Sequence, residues 1–374
     1  MPELSGLILR ISVVQWAFPG KVAPMVRISA AEAISPAINR TRQFLFAPPF
    51  RWGTFLKLCL VGAITEGLGT NFRSFGGRGG QGHPSHLPQG STIFHFTPEM
   101  IAAIVAMSLL LIFVGLVVAY LITRLRFAYF HCLVTNTRAI TPGWRLYREQ
   151  ANRFFRMNIA VGVCLMLMVG LMVAPFVPGF VRLYRQMQAG SGPDAGLLLS
   201  LILPLIPIIL MFVVVAILLD IVLRDWMMPH YALEDATAGQ AWSAVWENIS
   251  GEKGSFFVYT LLRLVLPIIA AIGLFIVLLF PGAVMIGAVA MTEWAIHTGF
   301  AHASGLSFVI GVLLEVFIGL LALGFAIVIG VSLGGPISTA IREYALMFYG
   351  GRFQKLGDIL FPPMPNVPAR TPAV

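Results

Sequence analysis

The chain has 374 residues, 58% of them hydrophobic and only 11% charged, with a mean hydropathy of +0.86. That apolar share exceeds the roughly 45–50% of soluble domains, so it cannot all be hidden in a soluble core. The formal charge of +9 raises nucleic acid as a partner, but the basic residues are scattered through short loops between apolar runs, which excludes that reading.

In chain order, residues 1–51 form an N-terminal segment whose apolar stretch, Leu7 to Phe18, is broken by Arg10 and ended by Pro19. It lacks a basic start and a small-residue cleavage site, so it does not read as a removable signal peptide, and its first 24 or so residues are expected to be poorly ordered. The first candidate span, WGTFLKLCLVGAITEGLG (52–69), is short and carries Lys57 and Glu66, so it also fits a re-entrant or interfacial helix. A glycine-rich stretch (69–90) has no means of burying a face and reads as a flexible loop. Five stronger spans follow, at 100–122, 157–180, 196–219, 255–280 and 306–331. Each is long enough for a hydrocarbon layer of about 30 Å at 1.5 Å per residue. Pro204 and Pro207 kink the third of these, which neighbouring helices make tolerable. The expectation is an all-α polytopic bundle of about six transmembrane helices over residues 52–350, with a proline-rich tail at 351–374.

Loop charge sets the orientation. With six spans, one side holds residues 1–51, 123–156, 223–254 and 332–374, with six, seven, two and four Lys or Arg, nineteen in all. The other side holds 70–99, 181–195 and 281–305, with two, two and none, four in all. Both termini are therefore expected in the cytoplasm, and the protein in a bacterial inner membrane. If residues 52–69 do not cross, the N-terminus moves outside and the later loops keep their sides.

The segment TPGWRLYREQANRFF (141–155) lies between two spans. On a helix, Trp144, Tyr147, Ala151, Phe154 and Phe155 fall within an arc of about 100°, while Arg145, Arg148, Arg153 and Arg156 face away. Thr141 suits the N-cap and Pro142 the first helical position. Such a helix lies in the headgroup layer or packs on the spans, with the lipid bilayer as partner. Sliding the chain by 98 residues lays 126–151 on 224–249, so that Arg126 meets Arg224 and Trp144 meets Trp242. In the second copy Trp242, Val245 and Ile249 form the stripe, Asp235 is the expected cap, and the outer face holds Gln240, Ser243 and Glu247 without arginine. A fainter third echo is PISTAIREYALMFYG (336–350). Trp144 and Trp242 with the four arginines are thus the expected interface anchors.

This unit of span, short amphipathic helix and span, with FRWGTFLKL and SGEKGSFFVYTLLRLVL, resembles an uncharacterised family of bacterial multi-pass membrane proteins over roughly residues 35–350. That family is similar in turn to the membrane domain attached to some glycerophosphodiester phosphodiesterases. The resemblance implies an integral inner-membrane protein of unknown role. The catalytic barrel, with its paired His and metal carboxylates, has no counterpart, so its activity is not implied.

Ionisable residues inside a span are costly and point to function. Arg263 lies roughly 13 Å inside one end of its span and Glu315 roughly 16 Å from the other end of the next, nearly the same depth. They are expected to pair, as a helix lock or as part of a solute or proton path. Asp220 and Arg224, four apart, suit a surface pair. His83, His86, His95, His297 and His302 with Glu293 match no compact metal site. Cys59, Cys132 and Cys164 show neither CxxC nor an even framework, so no disulfide scaffold or zinc site is read. The chain has no GxxxxGK[ST], GxSxG or HExxH. No cofactor, metal or catalysis is expected. The leading role is a non-enzymatic scaffold or accessory of the cell envelope, associating with other membrane proteins or with itself. The alternative is a small-solute or ion transporter using Arg263 and Glu315.

Overall fold

The structure, a computed structural model, describes residues 27–67, 98–188, 195–300 and 305–362, and among them every regular element is a helix. Two short helices, α1 (Ile34–Phe46) and α2 (Trp52–Gly62), come first, α2 passing into a π-helical turn at Ala63–Gly67. Then follow α3 (Pro98–Thr135), α4 (Ile140–Leu146), α5 (Arg148–Val173), α6 (Val177–Gln188) and α7 (Ala195–Ile221). A second π-helical turn, Val222–Met227, leads into α8 (Met228–Glu234) and α9 (Ala238–Gly251). The chain ends with α10 (Lys253–Phe300), α11 (Leu306–Gly350) and α12 (Gln354–Leu360).

Among the described residues five continuous helical stretches are long and apolar enough to cross a membrane, where about six were expected. Of residues 52–69, the described part is α2 with its π-helical turn, 11 and 5 residues from Trp52 to Gly67, roughly 24 Å against about 30 Å of hydrocarbon. Phe55, Leu58, Cys59, Thr65 and Glu66 of this segment are instead buried. The long helices have two parts with different fates. In four of the five the most apolar 18-residue stretch has no buried residue, and in the fifth it is 11% buried. The opposite ends converge into one core that draws on Ala30 to Cys59, Phe127 to Val134, Tyr147 to Phe154, Trp226 to Val245, Phe256, Tyr259 and Tyr344 to Leu360. These are segments that the arginine count puts on one side. Of the residues that the count puts on the other side, 70–97, which include most of the glycine-rich stretch, 189–194 and 301–304 lie outside the described residues, as do residues 1–26 and the second half of the tail, 363–374.

Aromatic packing fixes the core. Phe154 makes edge contacts with Phe127 at 5.5 Å and Tyr231 at 5.3 Å between ring centroids. Tyr259 stacks on Phe348 at 4.3 Å and on Tyr344 at 5.2 Å. Such pairs add about 0.5–1.5 kcal/mol each beyond the area they bury. α11 is the central element. It carries α1, α2 and α10 along its flank, and α12 folds back beside its end. A Cβ on Gly335 would stand 2.3 Å from Cys59 Cβ and 2.5 Å from its Cα, so only glycine lets α2 approach α11 there. Leu356 and Leu360 of α12 are buried, so the core continues past residue 350, where the tail was expected to begin.

Residues 141–155 are not one helix. α4 starts at Ile140 behind Ala139, Thr141 makes no cap, and Tyr147 (φ −97°, ψ 26°) separates α4 from α5. The close approach of Gly143 to Ala128 and His131 of α3 sets this register, because a Cβ there would lie 2.8 Å from His131 Cβ. In the second copy Thr237, with Gln240 in a capping box, replaces the expected Asp235 cap. Asp235 instead takes the left-handed conformation (φ 55°) that ends α8. The third echo, 336–350, does not follow its span as a separate helix but is the buried end of α11 itself.

Candidate functional site

Where the long helices leave their unburied apolar lengths, charged side chains gather inside the protein. The two π-helical turns widen the backbone and expose carbonyls to side chains. Thr65 O in the first turn accepts from Arg126 Nε of α3 at 3.0 Å and from Arg224 Nη2 at 3.3 Å. Arg224 O in the second accepts from Arg342 Nη1 of α11 at 2.9 Å. The carboxylates of the same turns take what remains of these forks. Glu66 accepts from Arg224, lies 3.4 Å from Arg263 Nη2 and 3.8 Å from Arg342 Nε. Asp225 accepts from Arg263 Nε at 2.9 Å, Arg342 Nη1 at 3.0 Å and the Tyr259 hydroxyl at 2.8 Å.

Glu66, Arg224, Asp225 and Arg342 are buried and Arg263 nearly so. Burial alone would raise the Glu66 pKa, but the guanidinium groups of Arg224, Arg342 and Arg263 hold it below its ordinary value. The carboxylate is ionised at neutral pH. The group joins α2, α3, α7, α10 and α11 through charge-assisted bonds that hold only when all partners are present. The acids are already claimed by guanidinium forks, so neither is free as a general base. Among the described residues no group of three His, Cys, Asp or Glu is placed to hold a metal. A second buried contact lies nearer the end of α11, where His230 bonds the Tyr349 hydroxyl at 2.7 Å and Glu234 at 2.9 Å.

The expected pair of Arg263 and Glu315 does not form. Arg263 turns to Asp225 and Glu66, and Glu315 stands 3.5 Å from His297 on α10. Depth along the two helices matched, but two acids nearer the core outcompete a single one on the open length of α11. Asp220 does bond Arg224, at 2.9 Å, although only Asp220 is exposed.

The stripe of 144–155 is partly internal, with Trp144 and Phe155 half-buried. Tyr147, Ala151 and Phe154 are buried, and Trp144 lies under Arg124, whose guanidinium carbon is 4.3 Å from the ring centroid. Arg145, Arg148 and Arg156 are exposed, and Arg153 pairs with Asp235. The second stripe is shifted. Ala241 and Val245 face inward, while Trp242, 46% exposed, stacks on Trp246 at 6.4 Å. Small residues allow α9 to approach the turn at Val222–Met227, which leaves both tryptophans outside.

Two cavities lie away from the charged cluster. One of about 280 Å³ is lined by Arg153, Arg156, Met157, Tyr231, Thr237 and Ala238. Another, of about 540 Å³, is lined by residues including Arg27, Glu32, Glu252, Lys253 and Arg352.

A family of unknown function (DUF7544) matches residues 28–359, nearly all of the helical protein just described. The chain belongs to this family. No curated protein and no solved structure matches it. The match takes in α1 and α12, which places these short helices inside the family's unit.

Asp225, Arg342 and Tyr259 were not singled out from the sequence, and Glu66 and Arg126 were noted there only as a charge in a short span and as an aligned arginine, not as members of a buried cluster. One signal was there: at the inner ends of three spans an arginine is followed within three residues by an aromatic, as in Arg126 and Tyr129, Arg224 and Trp226, Arg342 and Tyr344.

Proposed function

We propose that the protein is a non-enzymatic, multi-pass component of the bacterial inner membrane that scaffolds or assists other envelope components, with the shared core on the cytoplasmic side. One observation carries this reading. The charged cluster is closed on itself, while the apolar lengths of the five long helices lie almost wholly unburied against one another. A rigid head with open lateral faces suits holding neighbours in the bilayer, other membrane helices or a second copy, better than turning over a substrate. The transporter reading is weaker because its two charged residues, Arg263 and Glu315, have different partners. Similarity to the membrane domain of some glycerophosphodiester phosphodiesterases belongs to the same proposal and concerns architecture alone.

Crosslinking in native membranes followed by purification tests this. Reproducible crosslinks from α5, α7 or α11 to a membrane protein or a second copy are expected. A monodisperse chain without crosslinked partners would remove the support. Ala31→Cys and Gln354→Cys, at two exposed positions beside the core, probed with a membrane-impermeant reagent, report the side of the core: protection in intact cells and reaction after lysis are expected.

A further inference from the structure

We propose that the 280 Å³ cavity between α5, α8 and the start of α9 binds the phosphate of an anionic phospholipid, whose acyl chains lie along the apolar length of α5. The cavity joins Arg153 and Arg156, on the polar first turns of α5, to Met157, Tyr231, Thr237 and Ala238. Beyond Asn158, α5 is apolar and largely exposed, with Val163, Met166, Leu167 and Leu171 each more than half exposed. The cavity therefore sits at the polar boundary of a span, the depth of a phospholipid phosphate.

Charge selects the ligand. Asp235, which also accepts from Gln150, neutralises Arg153. Arg156 has no hydrogen bond or ion pair among the described residues, so the cavity keeps an unspent guanidinium suited to a bidentate phosphate contact. Ala238 is the first residue of the 14-residue α9, and Thr237 caps the N–H of the third, so the Ala238 N–H remains for an anion beside Arg156. The larger cavity differs in carrying acids of its own: Glu252 holds both Arg27 and Arg352, and Glu32 stands beside them, so carboxylates occupy the guanidinium groups an anion would need.

A separate observation points to lipid instead of a soluble phosphate. α9 carries Trp242 and Trp246 stacked on its outer side, 46% and 59% exposed. Tryptophan pairs exposed beside the end of a span belong in the headgroup layer, where the ring is apolar and its N–H is wet. α9 would lie in that layer, with its N-terminus and Arg156 closing on one phosphate.

The inference rests on the chain being membrane-embedded and is independent of its having protein partners. Native mass spectrometry of the purified full chain, incubated in detergent with phosphatidylglycerol or phosphatidylcholine, tests it. The wild type should retain phosphatidylglycerol in preference, Arg156→Gln should lose about tenfold in that retention, and Arg145→Gln, an exposed arginine outside the cavity, should keep it. One lost bidentate contact corresponds to that change. Equal retention by Arg156→Gln and Arg145→Gln would overturn the proposal, as would loss of the lipid on adding millimolar inorganic phosphate, which would make the site one for a soluble anion. Resistance of Arg156→Gln to alkaline extraction from membranes reports embedding separately, so a failure of that premise is distinguishable.

Discussion

Asp225→Asn is the most direct test of the charged cluster as the lock of the fold. Asp225 is fully buried and accepts from two guanidinium groups and one hydroxyl, at 2.9, 3.0 and 2.8 Å. Asparagine has nearly the same shape, so it leaves no cavity. It removes the charge and turns one acceptor into a donor facing a guanidinium. Arg263 and Arg342 would then share only Glu66, whose nearest contacts to them are 3.4 and 3.8 Å. Breaking a buried pair while its partner stays inside costs about 3–5 kcal/mol. At 2–4 °C per kcal/mol for a domain of 150–250 residues, a fall in Tm on the order of 10 °C is expected. Thermal unfolding in detergent, followed by tryptophan fluorescence or by size-exclusion recovery after heating, measures it. Glu315→Gln is the control, because among the described residues its carboxylate pairs only with His297, 79% exposed, at 3.5 Å. If Asp225→Asn melted within about 2 °C of wild type, or Glu315→Gln fell as far, the cluster would not hold the helices together.

Four further outcomes follow from other contacts. Gly335→Leu should separate α2 from α11 and abolish monodisperse protein, while Gly330→Leu, with open space at its Cβ, should be neutral in gel filtration. Burial pushes the Cys59 thiol up to about 12, so maleimide should leave Cys59 unlabelled at pH 8 until the protein is denatured. Trp144→Glu should reduce membrane-inserted protein more than Arg145→Gln, since Trp144 packs beneath Arg124 and Arg145 is exposed; equal yields in washed membranes would contradict this. The Glu66 pKa is lower folded than unfolded, so its stabilisation is complete above the unfolded value of about 4.3 and is lost as pH falls toward the folded one. The stability gap between wild type and Glu66→Gln should therefore be constant near neutrality and shrink by about 1.4 kcal/mol per pH unit on acidification below about pH 4.

The long apolar helices were legible because length and composition are written residue by residue: among the described residues five of the six expected spans are long and apolar enough to cross a membrane. The sixth misled because WGTFLKLCLVGAITEGLG is apolar for reasons of protein packing, with Phe55, Leu58 and Cys59 buried beside α11. Tyr147, Ala151 and Phe154 of the first stripe are buried, but the same period placed Trp242 in the second stripe, where packing against the turn at Val222–Met227 turns Ala241 and Val245 inward instead. The cluster was hidden for a different reason. Its members are separated by up to 276 positions, from Glu66 to Arg342, and depth along a helix says nothing about which neighbour an arginine will face. Arg263 and Glu315 matched in depth and lie on adjacent helices, yet each found a nearer partner.

The 98-residue echo gains a physical meaning from Thr65. Its aligned arginines, Arg126 and Arg224, donate to the same carbonyl, Thr65 O, from two different span ends. The tryptophans aligned by the same shift, Trp144 and Trp242, have diverged, one half-buried under Arg124 and the other stacked outside. What the two copies hold in common is thus the arginine at the exit of the span, and α11 supplies a third such residue, Arg342, to the same cluster. Lysine would not serve at these exits. Arg224 reaches Asp220 with one terminal nitrogen and Thr65 O and Glu66 with the other, a division that needs a planar fork; an ammonium is a compact, strongly hydrated point charge. Arg224→Lys should therefore destabilise the fold despite keeping the charge, whereas Arg148→Lys, on the exposed start of α5, should leave thermal stability unchanged.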